Sequence, residues 1–256
     1  MEGPWRFGAQ WSPERVAVLA HWSAHPQVSR SVATLVRQLV RADFDVLVVS
    51  TCEAPEALQW PADMPPRIAV MRRSNAGYDF GSWAVALARF PQIVTAAQVL
   101  LVNDSMLGPF RDIGQLLQEA ELCGADVCGL TDSAAVRDHL QSYFLWFHRG
   151  VLDSDALRDF WSDIRVQPSK EAVVRQYEIG LSLLLARHGY STRALYPYAG
   201  VVPRGQDPTV HGWRALLETG FPFLKRIVLR HPDAPQRAQA AEVIRALYGL
   251  ELDDWL

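Results

Sequence analysis

Lysine is almost missing from this chain of 256 residues: Lys170 and Lys225 stand against 23 arginines. Cysteine is sparse as well. Cys52, Cys123 and Cys128 form no C-x-x-C pair, so neither a disulfide framework nor a zinc-like spacing is expected. No apolar run approaches the roughly 20 residues that cross a bilayer. The opening MEGPWRFGAQW has neither the basic start nor the apolar stretch of a signal peptide, so the expected location is cytoplasmic. Neither sign of charge dominates: 25 Lys and Arg face 28 Asp and Glu, a formal net charge of −3. That balance argues against a dedicated nucleic-acid binder. Motifs of the G-x-S-x-G, Walker A and H-E-x-x-H types are absent.

What is present is apolar and orderly. A hydrophobic fraction of 49% excludes a disordered chain, and 16 Gly with 16 Pro exclude a collagen-like or low-complexity one. The arginine excess has two readings. One is codon bias in a GC-rich genome; the other is that some guanidinium forks bind phosphate bidentately.

Val- and Leu-rich segments without clean alternation read as strands buried on both faces. They are Arg15–Trp22, Phe44–Thr51, Arg67–Arg73, Gln98–Asp104 and Ala125–Thr131, followed by the aromatic-rich Ser142–His148 and by Ser191–Pro197. Helical stripes lie between them: Val28 to Val40, Ile113 to Ala120, Leu157 to Ile164 and about Glu171 to Arg187. This alternation predicts an α/β fold with a mostly parallel, Rossmann-type sheet flanked by helices. Residues 1–14 read as a lead-in, 15–199 as the core, and 200–256 as a C-terminal helical appendage packed on it, with a last helix near Gln236–Tyr248.

Open α/β sheets bind ligands beyond the carboxyl ends of their strands. Polar residues follow four of the strands there. His21 and Ser23 follow the first. Arg72 and Arg73 end the third and run into Asn75, Gly77 and Asp79. Asn103-Asp104-Ser105 follows the fourth, and Asp132 the fifth. This composition suits phosphate, ribose or sugar hydroxyls. Asp104 is a candidate ligand for Mg²⁺ or Mn²⁺, with Asn103 and Ser105 as neutral oxygen donors; the same tripeptide also suits a plain turn. RRSNAGYDFG fits a ligand-binding loop, with glycines for close approach, or simply a glycine-containing loop capped by Asx turns. His139 and Gln141 precede the aromatic strand and are candidates for sugar or acceptor contact.

Glu178 falls in the middle of a helical apolar stripe, between Val174, Leu181 and Leu185. A carboxylate there needs a partner or a cavity. It is either a buried Glu–Arg or Glu–backbone contact, or a general base facing a cleft. Lys225, Arg226, Arg230, Arg237 and Arg245 form a basic stretch that is either a solvated helix face or a contact for anionic lipid at the inner face of the cell membrane.

The ordered set RRSNAGYDFGSW, VLLVNDSMLGPF, HLQSYFLWF, YEIGLSLLLARHGYSTRALYP and DPTVHGWRALLETGFPFLKR resembles the rhamnan synthesis protein F family over about Arg15 to His231. More loosely, the core is similar to inverting GT-A glycosyltransferases. Asn75-Ala76-Gly77 matches their Asn-x-Gly loop, Asn103-Asp104-Ser105 lies at their Asp-x-Asp position, and Tyr177-Glu178 matches their acidic helix motif. Two departures stand out: Asn103 and Ser105 occupy the places of acids, and Ile179 follows Glu178 where many relatives have a second acid. The resemblance implies a GT-A-like fold in which a sugar, such as rhamnose or another deoxyhexose on a dTDP carrier, passes from a nucleotide diphosphate donor to a glycan or lipid-linked glycan. Glu178 would take the catalytic-base position. On that expectation Arg73 steadies the departing diphosphate, a cation at Asp104 assists if bound, and His21 and Ser23 contact the nucleotide. The rival is a non-catalytic sugar- or nucleotide-binding scaffold.

Overall fold

The computed structural model describes residues 11–230 and 235–256. Most of the proposed lead-in, residues 1–10, and the start of the segment before the last helix, 231–234, lie outside the described residues.

Among the described residues there are ten strands: β1 Arg15–His21, β2 Asp45–Ser50, β3 Ile68–Arg72, β4 Gln98–Asn103, β5 Met106–Leu107, β6 Val127–Ser133, β7 His139–Leu140, β8 Phe144–His148, β9 Thr192–Tyr196 and β10 Leu224–Lys225. The α-helices are α1 Arg30–Arg41, α2 Tyr78–Arg89, α3 Gly114–Glu121, α4 Asp155–Ser162, α5 Lys170–Val173, α6 Ile179–Arg187, α7 Pro208–His211, α8 Trp213–Glu218 and α9 Pro235–Tyr248. The main sheet runs β3-β2-β1-β4-β8-β6, with β7 and β9 both paired to β6. β1 to β4 are mutually parallel and β9 is parallel to β6, whereas β8 is antiparallel to both its neighbours. The predicted mixed α/β architecture, with a mostly parallel sheet covered by helices, is the one observed.

The sheet is apolar on both faces, and that explains the unalternating sequence of its strands. Ala17 and Leu19 of β1 join Val46 and Val48 of β2 and Leu100 of β4 under α1 and α3. Their neighbours Val16, Val18, Leu47, Val49 and Leu101 face α2, α4 and α6. Each fully buried aliphatic side chain contributes about 1.5–3 kcal/mol, so a polar residue on either face of β1 would be penalised. Trp83 of α2, fully buried, pins its helix to the sheet through Nε1, which donates to Val18 O at 3.1 Å.

Two parts differ from the sequence reading. RRSNAGYDFG is not all loop: α2 begins at Tyr78, so Asp79 and Gly81 lie in its first turn. The start is backbone-strained, with Gly77 at φ +88° and Tyr78 at φ +54°. A Cβ on Gly81 would come within 2.7 Å of Ala76 O, so only glycine fits this approach. The single helix expected over Glu171–Arg187 is interrupted by a π-helical turn, Val174–Glu178, that ends on the glutamate. Such turns often mark functional positions.

The C-terminal segment returns to the core. β10 pairs antiparallel with β5, and Leu224 and Val228 pack with Ile244, Leu252 and Trp255 around Leu107 and Phe110. Among the described residues no helix is long and apolar enough to cross a membrane.

Candidate functional site

The order of the sheet reverses at β1, which lies between β2 and β4, so the place where open α/β sheets form a ligand crevice falls at the carboxyl ends of β1 and β4. Asp104 bridges it. Its backbone N–H donates to Ala20 O at 3.2 Å, and its Oδ2 accepts the Trp22 N–H at 2.9 Å. Asn103 is committed on both sides: Nδ2 donates to Asp79 Oδ2 at 2.8 Å, and Oδ1 accepts both the N–H and the hydroxyl of Ser105. Asp79, Asn103, Asp104 and Ser105 are thereby brought together.

Burial pushes the Asp79 carboxyl up to about 7, with repulsion from Asp104 adding to it. Burial likewise raises Asp104 to about 6, against the opposing pull of the Trp22 amide and Arg226. His21 lies behind Asp104, buried, with Nδ1 3.1 Å from Ser50 Oγ. Burial, and then the Arg226 charge, lower it to about 4, so the ring is neutral at pH 7. Trp22 and Tyr78, 44% and 40% exposed, flank these groups as uncovered aromatic faces.

A second cluster centres on Glu178, whose side chain is 14% exposed. Its Oε1 is 3.2 Å from His139 Nε2, and its Oε2 accepts the Ser142 N–H at 2.8 Å and the Ser142 hydroxyl. Burial alone would raise this carboxyl, but His139 and Ser142 hold it below its usual value. His139 Nδ1 faces Arg137 O at 2.6 Å, and although burial disfavours its charge, Glu178 and that carbonyl raise its pKa. The glutamate is therefore paired, with a histidine rather than an arginine, and it exerts electrostatic repulsion on Asp79.

Several expected contacts are already engaged within the protein. Gln141 donates to Asp207 Oδ1 at 3.1 Å and accepts from Thr131 Oγ1 at 2.7 Å. Asp132 accepts the Tyr198 N–H at 2.7 Å, and Ser23 Oγ donates to His25 O at 2.7 Å. Arg73 turns back onto its own loop, donating to Ala76 O and to Ser82 Oγ, while Arg72 donates to carbonyls that include Cys52 O and Pro55 O. Asn75 and Tyr78 are exposed and Gly77 is buried beneath them.

Three residues of the basic C-terminal stretch are paired with acids. Lys225 pairs with Asp207 at 2.9 Å, Arg237 with Asp253 at 2.7 Å and Arg245 with Glu251 at 2.5 Å. Arg226 instead reaches the crevice, where its Nε donates to Asp104 O at 3.0 Å. Sequence reasoning gave neither Arg226 nor Lys170 a place here. Lys170 starts α5 and exerts electrostatic attraction on both Asp79 and Asp104.

A cation held by the whole Asn103-Asp104-Ser105 tripeptide does not fit this donor set, because both ends of the Asn103 amide are occupied. Among the described residues no group of three His, Cys, Asp or Glu is placed to hold a metal ion. Cys52, Cys123 and Cys128 are buried free thiols.

These features define an open α/β protein with a cluster of polar side chains at its topological switch point. The chain belongs to the rhamnan synthesis protein F family, whose model matches residues 67–249. It is 28% identical over 194 residues to virulence protein VirA of Vibrio anguillarum, a match covering 62% of each chain. It is 25% identical over 154 residues to protein y4gN of Sinorhizobium fredii, covering 58% of this chain and 40% of that one. The chain thus spans about three fifths or less of these relatives' lengths. Among solved structures it is similar to a glycosyltransferase involved in glycosylation of the major capsid of PBCV-1. That match has a TM-score of 0.46 and 9% identity, covering 88% of this chain and 99% of that one.

Proposed function

We propose that the crevice binds a nucleotide diphosphate sugar and that the protein transfers the sugar to a glycan acceptor in bacterial surface polysaccharide synthesis, with inversion. The observation that carries this reading is Asp104 spanning β1 and β4 at the switch point, beside Asp79 and Asn103. Family membership supplies the polysaccharide context, and a deoxyhexose such as rhamnose on a dTDP carrier is the donor to try first.

The nucleotide lies along the ends of β1 and β3, against His21, Ser23 and the Asn75–Asp79 turn. Carboxyls near neutrality, as on Asp79 and Asp104, both donate and accept hydrogen bonds, which suits sugar hydroxyls. The acceptor oxygen bonds to the anomeric carbon from one face while the bond to the phosphate oxygen breaks on the other, the electron pair leaving with the diphosphate. Glu178 takes the acceptor proton. Its lowered pKa makes it a weak base, which suffices where the transition state is oxocarbenium-like and the leaving group departs early. His139 then steadies the carboxylate between turnovers. A divalent cation, if the enzyme uses one, would rest on Asp104 and supply Lewis acidity to the diphosphate.

Nucleotide release from dTDP-rhamnose with a rhamnose-containing glycan tests this. Glu178→Gln is expected to lower turnover by about 10²–10⁴-fold while the protein stays folded; near-wild-type turnover would remove the base assignment. The second reading, a binding scaffold without turnover, is favoured by the engagement of both Glu178 oxygens. Nucleotide binding with no transfer to any glycan would select it.

A further inference from the structure

Arg226 is held in the crevice without being used up there. Its backbone N–H donates to Ser105 O and its Nε to Asp104 O, each at 3.0 Å, so the guanidinium is fixed at the carboxyl end of β4. Among the described residues neither Nη atom has a hydrogen-bond acceptor, and the side chain makes no ion pair within 4.0 Å. The other arginines near the crevice are consumed. Arg73 is bound by Ala76 O and Ser82, and Arg72 by the carbonyls of the loop that follows β2. Arg226 is also partly buried, so a ligand meets it with little intervening water.

A guanidinium anchored through Nε presents its two Nη groups as a fork, the geometry that engages phosphate oxygens bidentately. The anchor also means that little side-chain freedom is lost on binding. The Asp104 carboxylate acts on the guanidinium electrostatically, and the Arg230 charge nearby offsets it in favour of an anion. His21 behind Arg226 is neutral, and Lys170 adds a second positive charge across from Asp79 and Asp104.

We propose that Arg226 binds the diphosphate of the donor through its two Nη groups, the role that the sequence alone points to in Arg73. This rests on the reading of the crevice as a nucleotide-sugar site. When the bond to the anomeric carbon breaks, charge grows on the phosphate oxygen, and a preorganised donor there stabilises the transition state more than the ground state.

The test is calorimetric titration of the full chain, in excess chelator, with dTDP, UDP, GDP, thymidine and inorganic pyrophosphate. Wild type, Arg226→Gln, Arg226→Lys and the surface control Arg214→Gln are compared, with thermal melting of each. Arg226→Gln is expected to weaken the preferred nucleoside diphosphate about tenfold to a hundredfold, leaving affinity close to that of the bare nucleoside. Arg226→Lys restores only part of the loss, because a point charge replaces the fork, and Arg214→Gln changes nothing. Should Arg226→Gln not fold, the Lys variant decides: affinity equal to wild type overturns the proposal. A folded Arg226→Gln protein that binds diphosphate as wild type does also overturns it, while the crevice reading stands. Binding by wild type only when Mg²⁺ or Mn²⁺ replaces the chelator overturns the Arg226 proposal alone, and failure to bind any of the diphosphates under either condition overturns both.

Discussion

Glu178 and His139 form an ion pair in which the imidazole has no acceptor role left: Nε2 faces the Glu178 carboxylate at 3.2 Å and Nδ1 faces Arg137 O at 2.6 Å. A doubly protonated ring satisfies both, and the raised pKa of His139 with the lowered one of Glu178 favours imidazolium and carboxylate. Its stability contribution has a defined pH window. The Glu178 share is complete above the ordinary value of 4.5 and is lost as pH falls through the lowered folded value. The His139 share is complete below 6.5 and is lost as pH rises through the raised folded value. Both are therefore whole between pH 4.5 and 6.5.

Glu178→Gln should lower the His139 titration, because burial disfavours the charged ring and the glutamate is its strongest opposing influence. It should destabilise the fold by about 3 kcal/mol, because a buried charge loses its partner. Histidine Cε1–H chemical shifts against pH, with urea unfolding at pH 6, measure the two effects. An unchanged midpoint would show that the carboxylate does not control the ring.

Asp79→Asn should stabilise the protein, but only at high pH. Because the folded carboxyl is raised to about 7, ionisation opposes folding progressively as pH climbs from 3.8. The gain is expected to be absent at pH 3.5 and to reach about 4 kcal/mol by pH 8. The substituted amide oxygen can still accept from Asn103 Nδ2. Urea unfolding at the two pH values reads this directly, and the same variant should bind the donor less well.

Gly81→Ala should cost about 1–3 kcal/mol, since the new methyl would stand 2.7 Å from Ala76 O and 3.3 Å from Arg73 Nη1. The displaced turn carries Asn75, Gly77 and Asp79, so weaker donor binding should accompany the lower melting temperature. Equal melting temperatures would mean that the α2 start is not as tightly constrained as its geometry implies.

Excess chelator should leave nucleoside diphosphate affinity intact, since Arg226 and Lys170 already supply positive charge beside Asp104. Titration with and without Mg²⁺ or Mn²⁺ checks it. A marked loss without the cation would place a metal, not Arg226, against the diphosphate.

Much of this protein is legible in its sequence. β1, β2 and β4 are runs of Val, Leu and Ala because both faces are covered, and their ends deliver His21, Asn103 and Asp104 to one place. α2 is harder to read, because it starts with Gly77 and Tyr78 in left-handed conformations amid polar residues, which hides its period. β5, β7 and β10 are two residues each and have no period to detect. Arg226 reaches Asp104 only because β10 pairs with β5, across 122 residues of sequence, and no local pattern encodes that. The π turn at Glu178 likewise leaves no mark in hydropathy, although the misplaced acid on the stripe does.

The scarcity of lysine has a practical consequence. Of the two ε-amines, one pairs with Asp207 next to Arg226, and the other sits on an exposed helix start within electrostatic reach of Asp79 and Asp104. An amine-directed acylating reagent therefore has two side-chain targets, both beside the crevice. Labelling yields with and without nucleotide would report occupancy without a single engineered residue.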